Sequence, residues 1–215
     1  MGDTSQDKKN RDDGPAPKMK KRDRSASEER LLLAGLETFS KFGFSSSTTK
    51  MIAKKADVNE SLIGRYFDGK EGLLIAIIEK FLNEIRSREL PYSPKDNLKD
   101  ELTAYVKDRL EQGCQHEEFA RIVFTQALVD RKFKKKVLET VPMQLDVRLI
   151  ERIERLEKLG RLKSQSNVEE ICQEIDTFMN GLFFFEHILH DTPKEQLSAR
   201  ATRFVARYAD YHQRS

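Results

Sequence analysis

The chain of 215 residues is 35% charged and 38% hydrophobic, with 13 Phe, 5 Tyr, no Trp and two Cys, enough to bury one sizeable core or two small ones. No apolar run approaches the roughly 18 residues of a membrane span, and the opening stretch lacks the apolar segment of a secretory signal. A soluble, cytoplasmic protein with no membrane partner is therefore expected, and Cys114 and Cys172 are too few and too far apart for a disulfide framework or an all-cysteine zinc site. The net charge of +3 sits in residues 1–27, which hold eight Lys/Arg against five Asp/Glu; the rest of the chain is balanced.

Residues 1–24 have almost no large apolar side chain, so a disordered tail is expected, with Lys18, Lys20, Lys21, Arg22 and Arg24 as either a basic arm for a polyanion or a solubilising segment. Ser25 with Glu28 has the spacing of a capping box, and Leu31, Leu32, Leu36, Phe39 and Phe42 follow a helical period that should end at Gly43. A short helix after Thr48 carries Ile52, Ala53 and Ala56 inward and stops at Asp57-Val58-Asn59. Asn59 caps another short helix over 60–66, and Asp68 with Glu71 repeats the capping box before a long helix to about Arg88.

Pro91 and Pro94 break the pattern and mark the expected boundary of a second unit. Beyond it helices are predicted over 98–113, 117–129, 132–159 (interrupted by Pro142), 168–190 and 194–212. Gly160 should close the third of these, Asn167 with Glu170 should cap the fourth, and Thr192-Pro193-Lys194-Glu195 should start the fifth. Strand alternation is absent. The expected fold is all-α, about nine helices, with a disordered tail (1–24), a small head (25–70), a connecting helix (71–90) and a larger bundle (91–215).

Two short helices joined by a tight turn and flanked by supporting helices have the lengths of a helix-turn-helix. In that arrangement the second helix enters the major groove, so Glu60, Ser61 and Leu62 would face base edges. Thr48, Thr49, Lys50, Arg65, Tyr66 and Lys70 would lie where phosphates pass, helped by free amides at helix N-termini. Short helices of an ordinary all-α core have the same spacing.

The run STTKMIAKKADVNESLIGRYFDGKEGLL resembles the DNA-binding signature of the TetR (tetracycline-repressor-like) transcriptional regulators, on which Thr48, Ile52, Ala53, Ala56, Val58, Phe67, Lys70, Leu73 and Leu74 all fall. Phe39, Gly43 and Phe44 resemble the ending of that family's first helix. Three positions depart from the pattern: Asp57 replaces the turn glycine, Asn59 replaces the capping serine, and Gly64 replaces a tyrosine near the end of the reading helix. Arg65 and Tyr66 are the available substitutes for that lost contact.

The resemblance implies double-stranded DNA as partner, a homodimer built on the last two helices, and a ligand cavity in the second unit. Phe178, Gly181, Leu182, Phe185, Phe204 and Tyr208 are the dimer candidates; with Phe183, Phe184 and Ile188 they offer more apolar surface than one helix hides. Tyr105, Phe119, Val123, Phe124 and Ala127 are the pocket candidates for a small apolar or amphipathic ligand, with His116, Arg121 and Gln126 nearby, although such a stripe also describes an ordinary core. The run from Lys132 to Lys136 fits an anion attractor or a solvated face.

Other classes compete with this one. His187 and His190, with Glu186 and Asp191, have the spacing of a helical metal pair, but no metal is expected, because ligands converging from one helix end are geometrically awkward. There is no phosphate loop or nucleophile elbow, so neither a cofactor nor an enzyme is expected. A helical adaptor that binds protein through the same head is the remaining alternative. Together these readings give a ligand-responsive DNA-binding regulator, a homodimeric repressor of a palindromic operator.

Overall fold

A computed structural model describes residues 21–140 and 145–214. The described chain is helical, with one isolated antiparallel bridge between Leu162 and Gln213. In order come α1 (Lys21–Ser46), α2 (Thr49–Ala56), α3 (Ser61–Phe67), α4 (Lys70–Ser87), α5 (Leu98–Gln115), α6 (Glu117–Val129), α7 (Arg131–Thr140), α8 (Val147–Lys158), α9 (Val168–Gly181) and α10 (Lys194–His212). From α9 the chain runs on without a break into a π-helical segment, Leu182–Leu189. The all-α expectation holds. The helix expected over 132–159 is two, α7 and α8, and Pro142 between them lies outside the described residues.

Several helix ends follow from side chains acting on their own neighbours. Thr48 accepts from the Met51 amide at 3.2 Å, Asn167 from the Glu170 amide at 3.1 Å, and Asn97 from the Asp100 amide at 2.9 Å. Gly160, left-handed at φ 68°, closes α8, with the Arg161 amide donating to Leu156. Three expected starts differ. Ser25 lies inside α1, which begins at Lys21, so residues 21–24 are helical and the tail cannot include them. Asp68 is left-handed (φ 60°) and ends α3; α4 starts after Gly69 without a side-chain cap. Thr192 turns its hydroxyl to Glu186, and α10 follows Pro193 uncapped.

Two cores result. One gathers α1–α4, with Leu31, Phe39, Ile52, Ile63, Leu73 and Leu74 fully buried, and draws in Phe119 of α6 and Phe133 of α7. The other is built from α5, α8, α9 and α10 around Leu98, Leu102, Tyr105, Ile153, Ile175 and Val205. Cys172 lies in this second core, where burial pushes its thiol up to about 12 and leaves it an inert packing group. The linker between α4 and α5 is fastened from α8: Arg148, Arg152 and Arg155 donate to the carbonyls of Arg88, Tyr92 and Lys95 at 2.7, 3.0 and 2.9 Å. Arg148 also holds Asp146 at 2.6 and 2.8 Å, and Tyr105 donates to the same carboxylate. None of the helices among the described residues is long and apolar enough to cross a membrane.

Candidate nucleic-acid interface

Ile52, Ala53 and Ala56 turn one face of α2 into the head core, and Ile63 does the same for α3. The turn between them closes on Asp57, left-handed at φ 52° and ψ 53°, with its amide donating to Lys54 and that of Val58 to Ala53. Asp tolerates this conformation better than most side chains, so the missing turn glycine costs the motif little. Asn59 Oδ1 accepts from the Ser61 amide at 2.9 Å and its hydroxyl at 2.7 Å, which fixes the first turn of α3. The arrangement is a helix-turn-helix with the outer face of its second helix uncovered.

The candidate DNA-facing residues fall into three groups. Lys50, Gly64 and Arg65 are exposed, and a Cβ at Gly64 would meet nothing within 4 Å. Thr48, Thr49, Asn59, Glu60 and Ser61 stand at the two helix starts but are already engaged: Thr48 caps the Met51 amide, Asn59 holds Ser61, and Thr49 donates to the Glu60 carboxylate at 2.5 Å, joining α2 to α3. Leu62 and Tyr66 are half-buried against the head core, so Leu62 is only partly available to a base edge. Arg24 lies over the Tyr66 ring at 5.1 Å and pairs with Glu28 at 2.8 Å. That part of the basic cluster is bound back to the head; Lys18 and Lys20 lie outside the described residues.

Lys70 departs from the expected placement. Its ammonium points inward, donating to the carbonyls of Phe44 at 2.8 Å and Ser47 at 2.9 Å, and burial lowers its pKa. It is committed to backbone where an exposed phosphate contact was expected.

The five pocket candidates do not line one cavity. Tyr105 is buried in the second core, its phenol pushed up by that burial, while Phe119, Val123 and Ala127 pack into the head core. Phe124 faces outward, 40% exposed, against Phe184 at 4.7 Å between ring centres. Periodicity gave all five an inward face without distinguishing the two cores. Open grooves lie elsewhere: one of about 550 Å³ beside the α4–α5 linker, between Glu89–Pro94 and Arg148, Glu151 and Arg152, and one of about 470 Å³ along α10, between Arg200, Arg203, Phe204, Arg207 and Tyr208.

On the last two helices, Phe178 and Phe204 stack at 3.7 Å with 12° between planes, and Phe204 and Tyr208 continue the row at 5.8 Å. Tyr208 donates to Glu174 at 2.6 Å. Phe185 is 55% exposed, and a methyl at Gly181 would meet open space, so that glycine serves no close approach within the protomer. Leu182 is the exception among the dimer candidates: it is buried in the protomer's own core. The two histidines have separate partners, His187 between Glu117 and the Thr192 carbonyl at 2.9 Å each and His190 against the Phe185 ring. Among the described residues no three His, Cys, Asp or Glu converge as metal ligands would.

Phe133 of α7 escaped the sequence reading. Within the basic run 132–136 it is the one apolar position and is 1% exposed in the head core. A single Phe inside a lysine run was the available signal.

Comparison with known proteins agrees with this geometry. The profile of bacterial regulatory proteins of the tetR family matches residues 31–77, the span from α1 into α4. The chain is 26% identical over 182 residues to the uncharacterized HTH-type transcriptional regulator YvkB of Bacillus subtilis, covering 81% of this chain and 92% of that one. It is also 26% identical over 123 residues to the probable HTH-type transcriptional regulator YttP of the same organism, covering 55% of this chain and 59% of the relative's length. A TetR transcriptional regulator of Agrobacterium tumefaciens shares the fold, with a TM-score of 0.66 at 24% identity over 88% of this chain and 95% of that one. Residues 31–77 thus match the DNA-binding region of the bacterial tetR family, and over most of its length the chain is similar to an HTH-type transcriptional regulator and shares the fold of TetR regulators.

Proposed function

We propose that the protein is a cytoplasmic homodimeric repressor that binds a palindromic operator and releases it in response to a small apolar or amphipathic ligand. The observation that carries this is the uncovered face of α3, with Gly64 and Arg65 exposed, paired with Lys50 on α2. One head reads one half-site, so a palindrome needs two copies. The row Phe178, Phe204 and Tyr208 with the exposed Phe185 is the surface on which a second copy would pair, burying apolar area that one protomer leaves in water. Half-sites should lie about one helical turn, or a multiple, apart.

The division of labour follows the helices: residues 25–70 read DNA, 71–90 connect, and 91–215 pair and sense. Because α6 and α7 contribute Phe119 and Phe133 to the head core, a ligand acting on them would reach the reading unit directly. Such a ligand shifts operator binding only by its differential affinity for the two head arrangements. Selection of bound duplexes from a random pool, with sedimentation of the protein, tests the proposal. A palindromic consensus bound by a dimer supports it; monomers at micromolar concentration with and without DNA, or no sequence preference, would sink it.

A further inference from the structure

The turn that precedes α2 is closed by a side chain from α4. Gly43 takes φ 73°, a left-handed value, and the chain then doubles back through Phe44 and Ser47 to Thr48, the cap of α2. The buried Ser47 hydroxyl is within hydrogen-bonding distance of the carbonyls of Gly43 (2.6 Å) and Thr38 (3.2 Å). Lys70, the first residue of α4, enters from the other side, its ammonium bound to the carbonyls of Phe44 and Ser47 and 4.3 Å from the centre of the Phe44 ring. That ring also meets Phe39 of α1 at 5.4 Å and Phe133 of α7 at 6.3 Å.

An ammonium has three donors, and two here are given to carbonyls at the last turn of α1 and just beyond it. A cation in the first turn of a helix opposes the helix dipole, so α4 itself gains nothing from a lysine at this position. The gain lies in the turn. Charge-assisted bonds on either side of the loop join the end of α1, the start of α2 and the start of α4 into one body.

We infer that Lys70 is a positioning residue for operator reading, which acts by locking the α1–α2 turn onto α4 around Phe44 and makes no phosphate contact. This rests on the proposed operator binding. A phosphate contact and a positioning clamp leave different traces. Loss of a phosphate contact weakens all DNA alike and lowers the salt slope by about one unit. Loss of the clamp lets the reading helix tilt, which spoils hydrogen bonds to base edges and leaves the exposed cations of Lys50, Lys54 and Arg65 in place for backbone contact.

The test uses the full chain, with titrations of the selected operator and of random duplex at several salt concentrations. Lys70→Met keeps the aliphatic stem over Phe44 and removes the donors. Operator affinity should fall about tenfold, the cost of one mismatched base pair, with random-duplex affinity and salt slope unchanged. Ser47→Ala, altering a buried residue that cannot touch DNA, should show the same pattern more weakly, and decides the matter if Lys70→Met does not fold. Equal loss on both duplexes with a slope lowered by about one unit would overturn the inference, and so would no change on either. Should the unaltered protein show no preference for operator over random duplex, the proposed function fails, and the clamp with it.

Discussion

Around α1–α4 a core of Leu, Ile and Phe, with Ala34, Ala53 and Ala56 among them, closes at one point on backbone: at Gly72 an added methyl would lie 1.6 Å from the Phe67 carbonyl oxygen. Around α5, α8, α9 and α10 the core is likewise mostly Leu, Ile and Val, no described glycine there lies as close to backbone as Gly72 does, and the proline-containing linker is held by three arginines. A core that closes on backbone has no room to adjust, whereas one that closes on branched side chains can repack. The head therefore has one fixed point, at the start of α4, whereas the bundle meets side chains that can repack.

The largest way to break this contrast is Gly72→Ala, which should cost the head 4 kcal/mol or more, roughly the extreme of single-site effects. Hydrogen exchange would show α2 and α3 losing protection before α9 and α10; uniform loss would mean that the cores melt as one. Next, Arg148→Ala leaves Asp146 mostly buried without its cation and frees the Arg88 carbonyl, for a loss of roughly 2–3 kcal/mol in urea unfolding.

The same pair sharpens the comparison by pH. Burial alone would lift the Asp146 carboxyl, but hydrogen bonds and charge from Arg148 outweigh it and hold the group below its ordinary value. A lowered acid contributes stability that is full above about pH 4 and is lost as pH falls through the lowered value. Asp146→Asn should flatten the acid limb of the bundle's stability curve and leave that of the head unchanged. Phe185→Ala should weaken self-association by about tenfold, roughly 1.4 kcal/mol, with little change in protomer stability, while Leu182→Ala should do the reverse; sedimentation and urea titration separate them. The smallest effect is a gain: Gly64→Ala, on an open helix surface, should stabilise the head by about 0.5–1 kcal/mol.

What was legible in the sequence was local chemistry with a nearby partner. Thr48, Asn59 and Asn167 cap the helices expected of them, and Asp57 takes the left-handed turn. Where a distant group competes, short-range rules lose: Glu186 captures the Thr192 hydroxyl, and carbonyls 23 and 26 residues away capture the Lys70 ammonium. The pocket candidates failed for a related reason. A helical period says that Tyr105 and Phe119 point inward, but only the packing of α6 onto α1 decides that they belong to different interiors. Phe133 was hidden by its charged neighbours, since a lysine run reads as solvent-facing until a single buried position within it is known.

The arginine contacts on the linker have one more property. Donors at 148, 152 and 155 and acceptors at 88, 92 and 95 follow the same order along both segments, so α8 and the linker run alongside in the same direction. The helix advances less per residue than the non-helical linker does, and the long arginine side chains take up the difference. A displacement at the end of α4 would therefore meet three successive ties to α8, spread along the linker, where a single tie would have left the rest of it unheld.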